Sequence, residues 1–390
     1  MRQLLDQLLA ASPAPEQGAR YLSRFPANRL TAKNARWVVA AFTHSHFLSE
    51  EILQHPEWID GLQALDRVLE AEEYRALLET ALPPGSPDAL PLAEFRRQQI
   101  LRIMLRDVLD LATLPEITAE LSNLADAILE SAYQRISAGL ISRFGAPGLT
   151  NRANGESAQF CVIALGKLGG VELNYSSDID LMFLYSSNGE TAGPERITNK
   201  EFFKRAANQL TSTLSTYTAE GLCYRVDLRL RPDGRLGEVC ISLDGARQYY
   251  ASRGRDWELQ MLIKARAAAG NRELGRELLD FVEPRIYATT TDFSAVEALS
   301  QTRERINEQL ARKRAKRRTR PDPAPEIDVK LDRGGIRDIE FVVQCLQRLH
   351  GGADPWVRHG GTLLGLARLH DKNFLSDAEY GQLASAYQFL

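Results

Sequence analysis

Two aspartates, Asp178 and Asp180, stand at the head of the apolar run Ile179-Asp-Leu-Met-Phe-Leu-Tyr185, shortly after the glycine pair Gly169-Gly170. In a strand, residues two apart share a face. Asp178 and Asp180 therefore project with Met182 and Leu184, while Ile179, Leu181 and Phe183 line the other face. Adjacent carboxylates repel, and burying them without a partner is costly, so the pattern makes sense if a cation sits between them. Mg²⁺ suits the role, because it favours one or two carboxylates plus substrate phosphates. Gly169 and Gly170, lacking side chains, let backbone N–H groups approach a phosphate, and Lys167 adds a point charge. Alone, an Asp-x-Asp also arises by chance on surface strands and turns.

A third carboxylate lies in Tyr224-Arg-Val-Asp-Leu-Arg-Leu-Arg231, where Val226, Leu228 and Leu230 alternate with Arg225, Asp227, Arg229 and Arg231. A strand here beside the first would bring Asp227 up to the pair. Three carboxylates around Mg²⁺ suit nucleotidyl transfer, with one free to help deprotonate an attacking oxygen. The competing reading pairs Asp227 with Arg225 or Arg229 on a solvated sheet face.

The elements that must hold these residues can be read from texture. A chain of 390 residues, 44% hydrophobic, can bury a core and, at about 100–200 residues per domain, holds two or three domains. Residues 1–150 show helical spacing, as in Glu94–Leu111, interrupted by the turn-rich stretch Leu82–Pro91. In residues 151–270, strand-like runs (Phe160–Leu165, Ile179–Tyr185, Cys223–Leu230, Glu238–Ser242) alternate with helical ones (Glu201–Ala219, Trp257–Ala268). Helical spacing returns over 271–390, broken at Pro321–Pro325, and the chain stops without a helix-stop signal, so it reads as truncated. No apolar run approaches the ~20 residues of a membrane helix and the start lacks a secretory pattern, which makes the cytosol the expected address. Cys161, Cys223, Cys240 and Cys345 are too scattered for a zinc site or disulfide framework and read as reduced core residues. A net charge of -3 argues against a surface built for nucleic acid.

The pattern G-K-L-G-G-x-E-L-N-x-x-S-D-I-D over 166–180, followed by R-V-D-x-R-L-R-P over 225–232, resembles the nucleotidyltransferase domain of the bifunctional glutamine synthetase adenylyltransferase/adenylyl-removing family. Trp257–Arg266, Lys330–Phe341 and the early Phe47–Pro56 segment are similar to it too, so the likeness spans nearly the whole chain. The resemblance implies an α+β, polymerase-β-like nucleotidyltransferase core, a mixed sheet with helices, inside helical flanks and mainly α overall. It implies Asp178, Asp180 and Asp227 as catalytic metal ligands, and Gly169, Gly170, Lys167, Ser177, Arg229 and Lys264 as nucleotide- and phosphate-binding residues. Glutamine synthetase is the implied protein substrate, with ATP or ADP and phosphate as small-molecule partners and the PII signal protein as a further one. Family members usually carry two such domains, the amino-terminal one removing AMP from a tyrosine of glutamine synthetase and the carboxy-terminal one attaching it. The form K-L-D-R-G-G-I-R-D-I-E-F over 330–341 resembles the amino-terminal copy. The implied reaction is phosphorolysis of adenylyl-tyrosine to ADP; AMP attachment from ATP is the alternative.

Other features have plainer readings. Arg312–Arg320 is strongly basic but lacks interleaved aromatics and reads as a solvated helix end. Gly334-Gly335 opens the amphipathic stretch Ile336–Leu349 as a tight turn, with an anion at the helix start as the alternative. Lys264 and Arg266 either reach nucleotide phosphates or are surface charges. The six histidines form no ligand constellation. Two further functional classes remain: a polymerase-β-like enzyme acting on RNA ends or a small molecule, and a non-catalytic regulatory half. Intact carboxylates at all three expected positions count against the last.

Overall fold

The computed structural model describes residues 1–62, 64–85, 87–148, 157–287, 328–330 and 332–390. The basic run Arg312–Arg320 and the break at Pro321–Pro325 lie outside them. The chain divides into two compact units, one of residues 1–131 and 213–223, the other of residues 132–212 and 224–390.

Helical periodicity governs the first unit, which contains α1 (Arg2–Ala10), α2 (Pro15–Leu22), α3 (Ala35–His44), α4 (His46–Gln54), α5 (Ala71–Ala81), α6 (Ala89–Val108) and the larger part of α7 (Leu114–Phe144). The α6 helix begins earlier than the expected Glu94. Pro91 falls in its first turn, where a missing N–H breaks no intrahelical bond. The unit's apolar core includes Phe42, Leu78, Leu101 and Leu124, and within it Glu120 accepts hydrogen bonds from Arg102 and Arg106. Tyr74 Oη (3.1 Å) and the Leu69 N–H (2.8 Å) also donate to Glu120, so this fully buried carboxylate is satisfied.

A mixed sheet organises the second unit. Its strands are β1 (Phe160–Leu165), β2 (Ile179–Tyr185), β3 (Val226–Asp227), β4 (Cys240–Ser242) and β5 (Arg266–Gly270). The order is β3-β2-β1-β5, with β4 also on β2. β1 runs antiparallel to β2 and β5; β3 and β4 run parallel to β2, one at its head and the other at its tail. Between β1 and β2 lies the one-turn helix α8 (Gly166–Gly169), and β2 is followed by α9 (Asn199–Ser215).

Both faces of the central strands are covered, so β2 is apolar throughout beyond Asp180 rather than alternating. On one face Cys161, Ile163, Leu165, Met182 and Leu184 pack against α10 (Leu243–Ser252), α11 (Asp256–Met261) and α12 (Arg272–Ile286). On the other, Phe160 stacks with Tyr133, Phe183 and Phe203, and Phe203 stacks with Tyr185. Ser242 caps α10 by accepting the Gly245 N–H, and Asn271 caps α12 by accepting the Leu274 N–H. Three further helices, α13 (Ile336–His350), α14 (Thr362–Asp371) and α15 (Asp377–Phe389), share a core of Ile339, Val343, Val357, Leu366 and Leu369. The result is the mainly helical α+β nucleotidyltransferase fold that the family resemblance implies.

Two expected elements are corrected. The strand expected over Cys223–Leu230 is only Val226–Asp227. Asp227 accepts the Arg229 N–H (2.8 Å), and Arg231 donates to the carbonyls of Leu228 (2.6 Å) and Gly237 (3.1 Å), so the chain turns out of the sheet. The helix expected over Trp257–Ala268 stops at Met261, tightens to 3₁₀ over Leu262–Lys264 and becomes β5. Pairing with β1 overrides the helix propensity of its alanines, and their small side chains admit α12, whose Gly275 has no room for a Cβ against Ala267 and Cys161. The four cysteines are buried, as expected. Among the described residues no helix is long and apolar enough to cross a membrane.

Because α12 closes one face of the sheet, Leu278→Ala removes a fully buried side chain from that core. The expected loss is about 2–5 kcal/mol of unfolding free energy by urea denaturation. A loss below about 1 kcal/mol would show that α12 is not packed as described.

Candidate active site

β1 delivers the chain to Gly166, and β2 carries it back past Asp180, which lies opposite Leu165 at the end of β1 and opposite Asp227 of β3. Gly166 has φ +55°, and a Cβ there would run into the Asp180 carboxylate. Neighbouring strands lie about 4.8 Å apart, so the register places the Asp180 and Asp227 carboxylates side by side. Burial, then the charge of Asp227 and more weakly that of Asp178, pushes the Asp180 carboxyl up to about 6, with Lys330 opposing.

The other two aspartates face arginines. Asp227 accepts Nε of Arg229 at 2.7 and 3.0 Å, which holds its carboxyl below the usual range. Asp178 precedes β2, is 44% exposed, and accepts Nε of Arg225 at 2.5 Å. The arginine pairing weighed for Asp227 is thus present, and it coexists with the place beside Asp180. Among the described residues no three Asp, Glu, His or Cys side chains already converge as a metal site. By chemistry, however, Asp178, Asp180 and Asp227 are hard oxygen donors, and a divalent cation would offset both the burial of Asp180 and the charge of Asp227 beside it. The residues present fit such a cation.

The remaining expected site residues separate into two groups. Lys167, half-buried in α8, has its ammonium pushed down by burial and makes no side-chain hydrogen bond or ion pair among the described residues. Ser177, beside Asp178, likewise has a hydroxyl without a hydrogen bond among them. Arg229 is exposed on the Asp227 side. Lys167 and Ser177 are open to an anion, whereas Arg229 would share its guanidinium with Asp227.

Lys264 is different, and its reading as a phosphate ligand is revised. Its ammonium is buried and donates to Glu172, to Glu340 Oε1 (2.7 Å) and to Thr362 Oγ1 (3.2 Å), which uses all three of its protons. Burial alone would push this lysine down; the Glu340 and Glu172 charges outweigh it, and the group is raised. Arg266 donates to the Leu168 carbonyl (2.9 Å), supporting the loop rather than a substrate. The glycine pair has a packing reason as well: a Cβ at Gly169 would collide with the Lys264 carbonyl, and one at Gly170 would lie 2.8 Å from the Gly360 carbonyl. The Gly170 N–H is already given to the Gly166 carbonyl. Gly334, at φ +80°, lies in a tight turn and gives its N–H to Asp338 (2.8 Å).

Sequence reasoning missed Gly166, Glu172, Glu340, Thr362 and Lys330. Only Lys264 carried a signal: a lysine amid the apolar stretch Leu262–Ala265 requires buried carboxylates somewhere in the chain.

The Asp180 shift predicts a pH effect on stability. A carboxyl raised from 3.8 to about 6 in the folded state favours the protonated form, so its contribution is present below about pH 4 and is lost as pH rises through 6. Asp180→Asn should therefore unfold later than the parent at pH 7.5 without divalent ions, by on the order of 1–3 kcal/mol, with the difference vanishing near pH 4. Calorimetric melts at the two pH values test this, and equal melting at pH 7.5 would rule it out.

The glutamate-ammonia ligase adenylyltransferase family model matches residues 36–280, and the GlnD PII-uridylyltransferase model matches residues 300–390. A Pseudomonas putida protein named bifunctional glutamine synthetase adenylyltransferase/adenylyl-removing enzyme is 39% identical over 353 residues, 89% of this chain and 35% of that protein. Proteins of the same name from Hahella chejuensis (37% over 374 residues, 94% of this chain and 38% of that protein) and Thioalkalivibrio sulfidiphilus (37% over 361 residues, 90% and 36%) are similar to a like extent. The chain spans little more than a third of the length of these relatives. The first family match covers well over half of the residues and includes the glycine loop and all three aspartates, and the chain accordingly belongs to the glutamate-ammonia ligase adenylyltransferase family.

Proposed function

We propose that this chain is a metal-dependent nucleotidyltransferase acting on the AMP carried by a tyrosine of glutamine synthetase, in the deadenylylating direction. The observation that supports it most is the registered pair Asp180 and Asp227 with Asp178 nearby, where burial first and then the neighbouring carboxylates raise Asp180 to about 6. The relatives' name supports the substrate. Direction rests on the Lys330–Phe341 segment, whose form resembles the amino-terminal copy of the family. The match of residues 300–390 to a PII-uridylyltransferase supports PII as a further partner, and a cytosolic address goes with this reading.

In that direction a phosphate oxygen attacks the phosphorus of adenylyl-tyrosine, a new P–O bond forms to give ADP, and the bond to the tyrosine oxygen breaks. The phenolate takes up a proton and leaves as tyrosine. Asp178, Asp180 and Asp227 would hold a divalent cation, Mg²⁺ by preference, which would supply charge neutralisation for the anionic reactants. Lys167, Ser177 and Arg229 bind phosphate oxygens; the guanidinium fork of Arg229 matches phosphate as well as it matches Asp227. Asp227, kept ionised by Arg229, accepts the proton of the attacking phosphate.

Mass spectrometry of adenylylated glutamine synthetase incubated with this chain and Mg²⁺ should show loss of AMP only when phosphate is added, with ADP as product. Asp227→Asn should slow that turnover by about 10²–10⁴-fold with little change in nucleotide affinity. Normal turnover with a lowered melting temperature would return Asp227 to a structural ion pair. The relatives' name carries both activities, so the reverse reaction is the second reading. Efficient AMP attachment from ATP, without phosphate-dependent release, would establish it instead.

A further inference from the structure

The cluster around Lys264 joins three parts of the second unit that are far apart in the chain. Glu172 lies just after the glycine loop, Glu340 lies on α13 and Thr362 is the first residue of α14. Glu172 accepts the Thr362 N–H (2.8 Å) and hydroxyl (3.0 Å), so a carboxylate of the loop caps α14. The same loop is gripped elsewhere: Arg266 holds the Leu168 carbonyl, and the backbones at Lys264 and Gly360 leave no space for side chains at Gly169 and Gly170. At its start the loop carries Gly166, pressed against Asp180, and then Lys167.

The other arm reaches the same place. Glu340 fixes α13, whose first residues, Ile336 and Arg337, donate their N–H groups to the carbonyls of Val329 (2.9 Å) and Lys330 (3.3 Å). That turn presents Lys330, which is exposed and within electrostatic range of both Asp180 and Lys167. A buried ion cluster often holds helices together no better than apolar side chains of similar volume, but its directed hydrogen bonds can select one arrangement of its partners. We propose that Glu172, Lys264, Glu340 and Thr362 are positioning residues: the cluster sets Lys167 and Lys330 around the aspartates, where both would meet the phosphates of a bound nucleotide. This rests on the nucleotidyl-transfer reading of the aspartates.

The test uses the full chain with Glu172→Gln and Thr362→Val, each of which weakens the link between loop and α14 while sparing every group assigned to bind phosphate. Hydrogen exchange is followed in the peptides covering residues 160–165 and 166–173, and Mg²⁺-ADP binding by titration calorimetry. In folded variants we expect amide exchange to rise at least tenfold in 166–173 but not in 160–165, and the Mg²⁺-ADP Kd to rise at least tenfold. A merely structural cluster would lower the melting temperature and raise exchange in both peptides together. Parent-like loop exchange and Kd in either folded variant would overturn the proposal. Should Glu172→Gln fail to fold, Thr362→Val, which removes a single hydroxyl, decides. If the parent itself binds no Mg²⁺-ADP, the proposed function falls, and loop exchange alone decides whether the cluster positions the loop.

Discussion

A buried ammonium must find its counter-charges inside the protein, and Lys264 finds them on the loop after β1 and on α13, with the Thr362 hydroxyl completing its shell. That requirement fixes much of the second unit. The 3₁₀ turn Leu262–Lys264 aims the side chain, and β5 follows directly from it into the sheet. Removing one partner would strand a charge in a dry site, so these elements hold their places together. Arg348 also ties these elements together, donating to the Ile286 carbonyl and to the half-exposed Asp256 (3.2 and 3.3 Å) and so linking α13 to α11 and α12.

The aspartates pose the opposite electrostatic problem. Asp180 is held at the end of a strand whose other residues are all buried, and of its registered neighbours, Leu165 and Asp227, one is another carboxylate. Burial and the neighbouring charge together raise the Asp180 carboxyl, while Asp178 and Asp227 are given to arginines. Those arginines are well exposed, so each pair is weak and easily exchanged. The repulsion is local and is carried by a sheet covered on both faces, where packing can absorb its cost.

Much of this was legible in the chain. The bounds of β1 and β2 follow from two apolar runs with turn residues at either end, and the amphipathic stretch from Ile336 became α13 with Ile339 and Val343 buried as its spacing requires. Elsewhere pattern misled. Strict alternation over Tyr224–Arg231 suggests a long strand, but Asp227 accepts the Arg229 N–H and Arg231 donates to the Leu228 carbonyl, which forms a turn after two residues. An alanine-rich segment with helical propensity was claimed by the edge of the sheet.

By itself, the sequence determined the fold class, the helical flanks, the strand that carries Asp180, and the family to which the residues belong, because these depend on local periodicity and on motifs contiguous in the chain. Tertiary structure alone decided which charges are open and which are spent. Lys167 and Lys264 look equivalent on paper, yet one makes no side-chain hydrogen bond among the described residues while the other is buried and bonded to two glutamates. Glu172 and Thr362 meet across 190 positions. Long-range electrostatic pairing has no sequence period, since Coulomb attraction and desolvation act through space and on whichever groups the packing of apolar faces brings together.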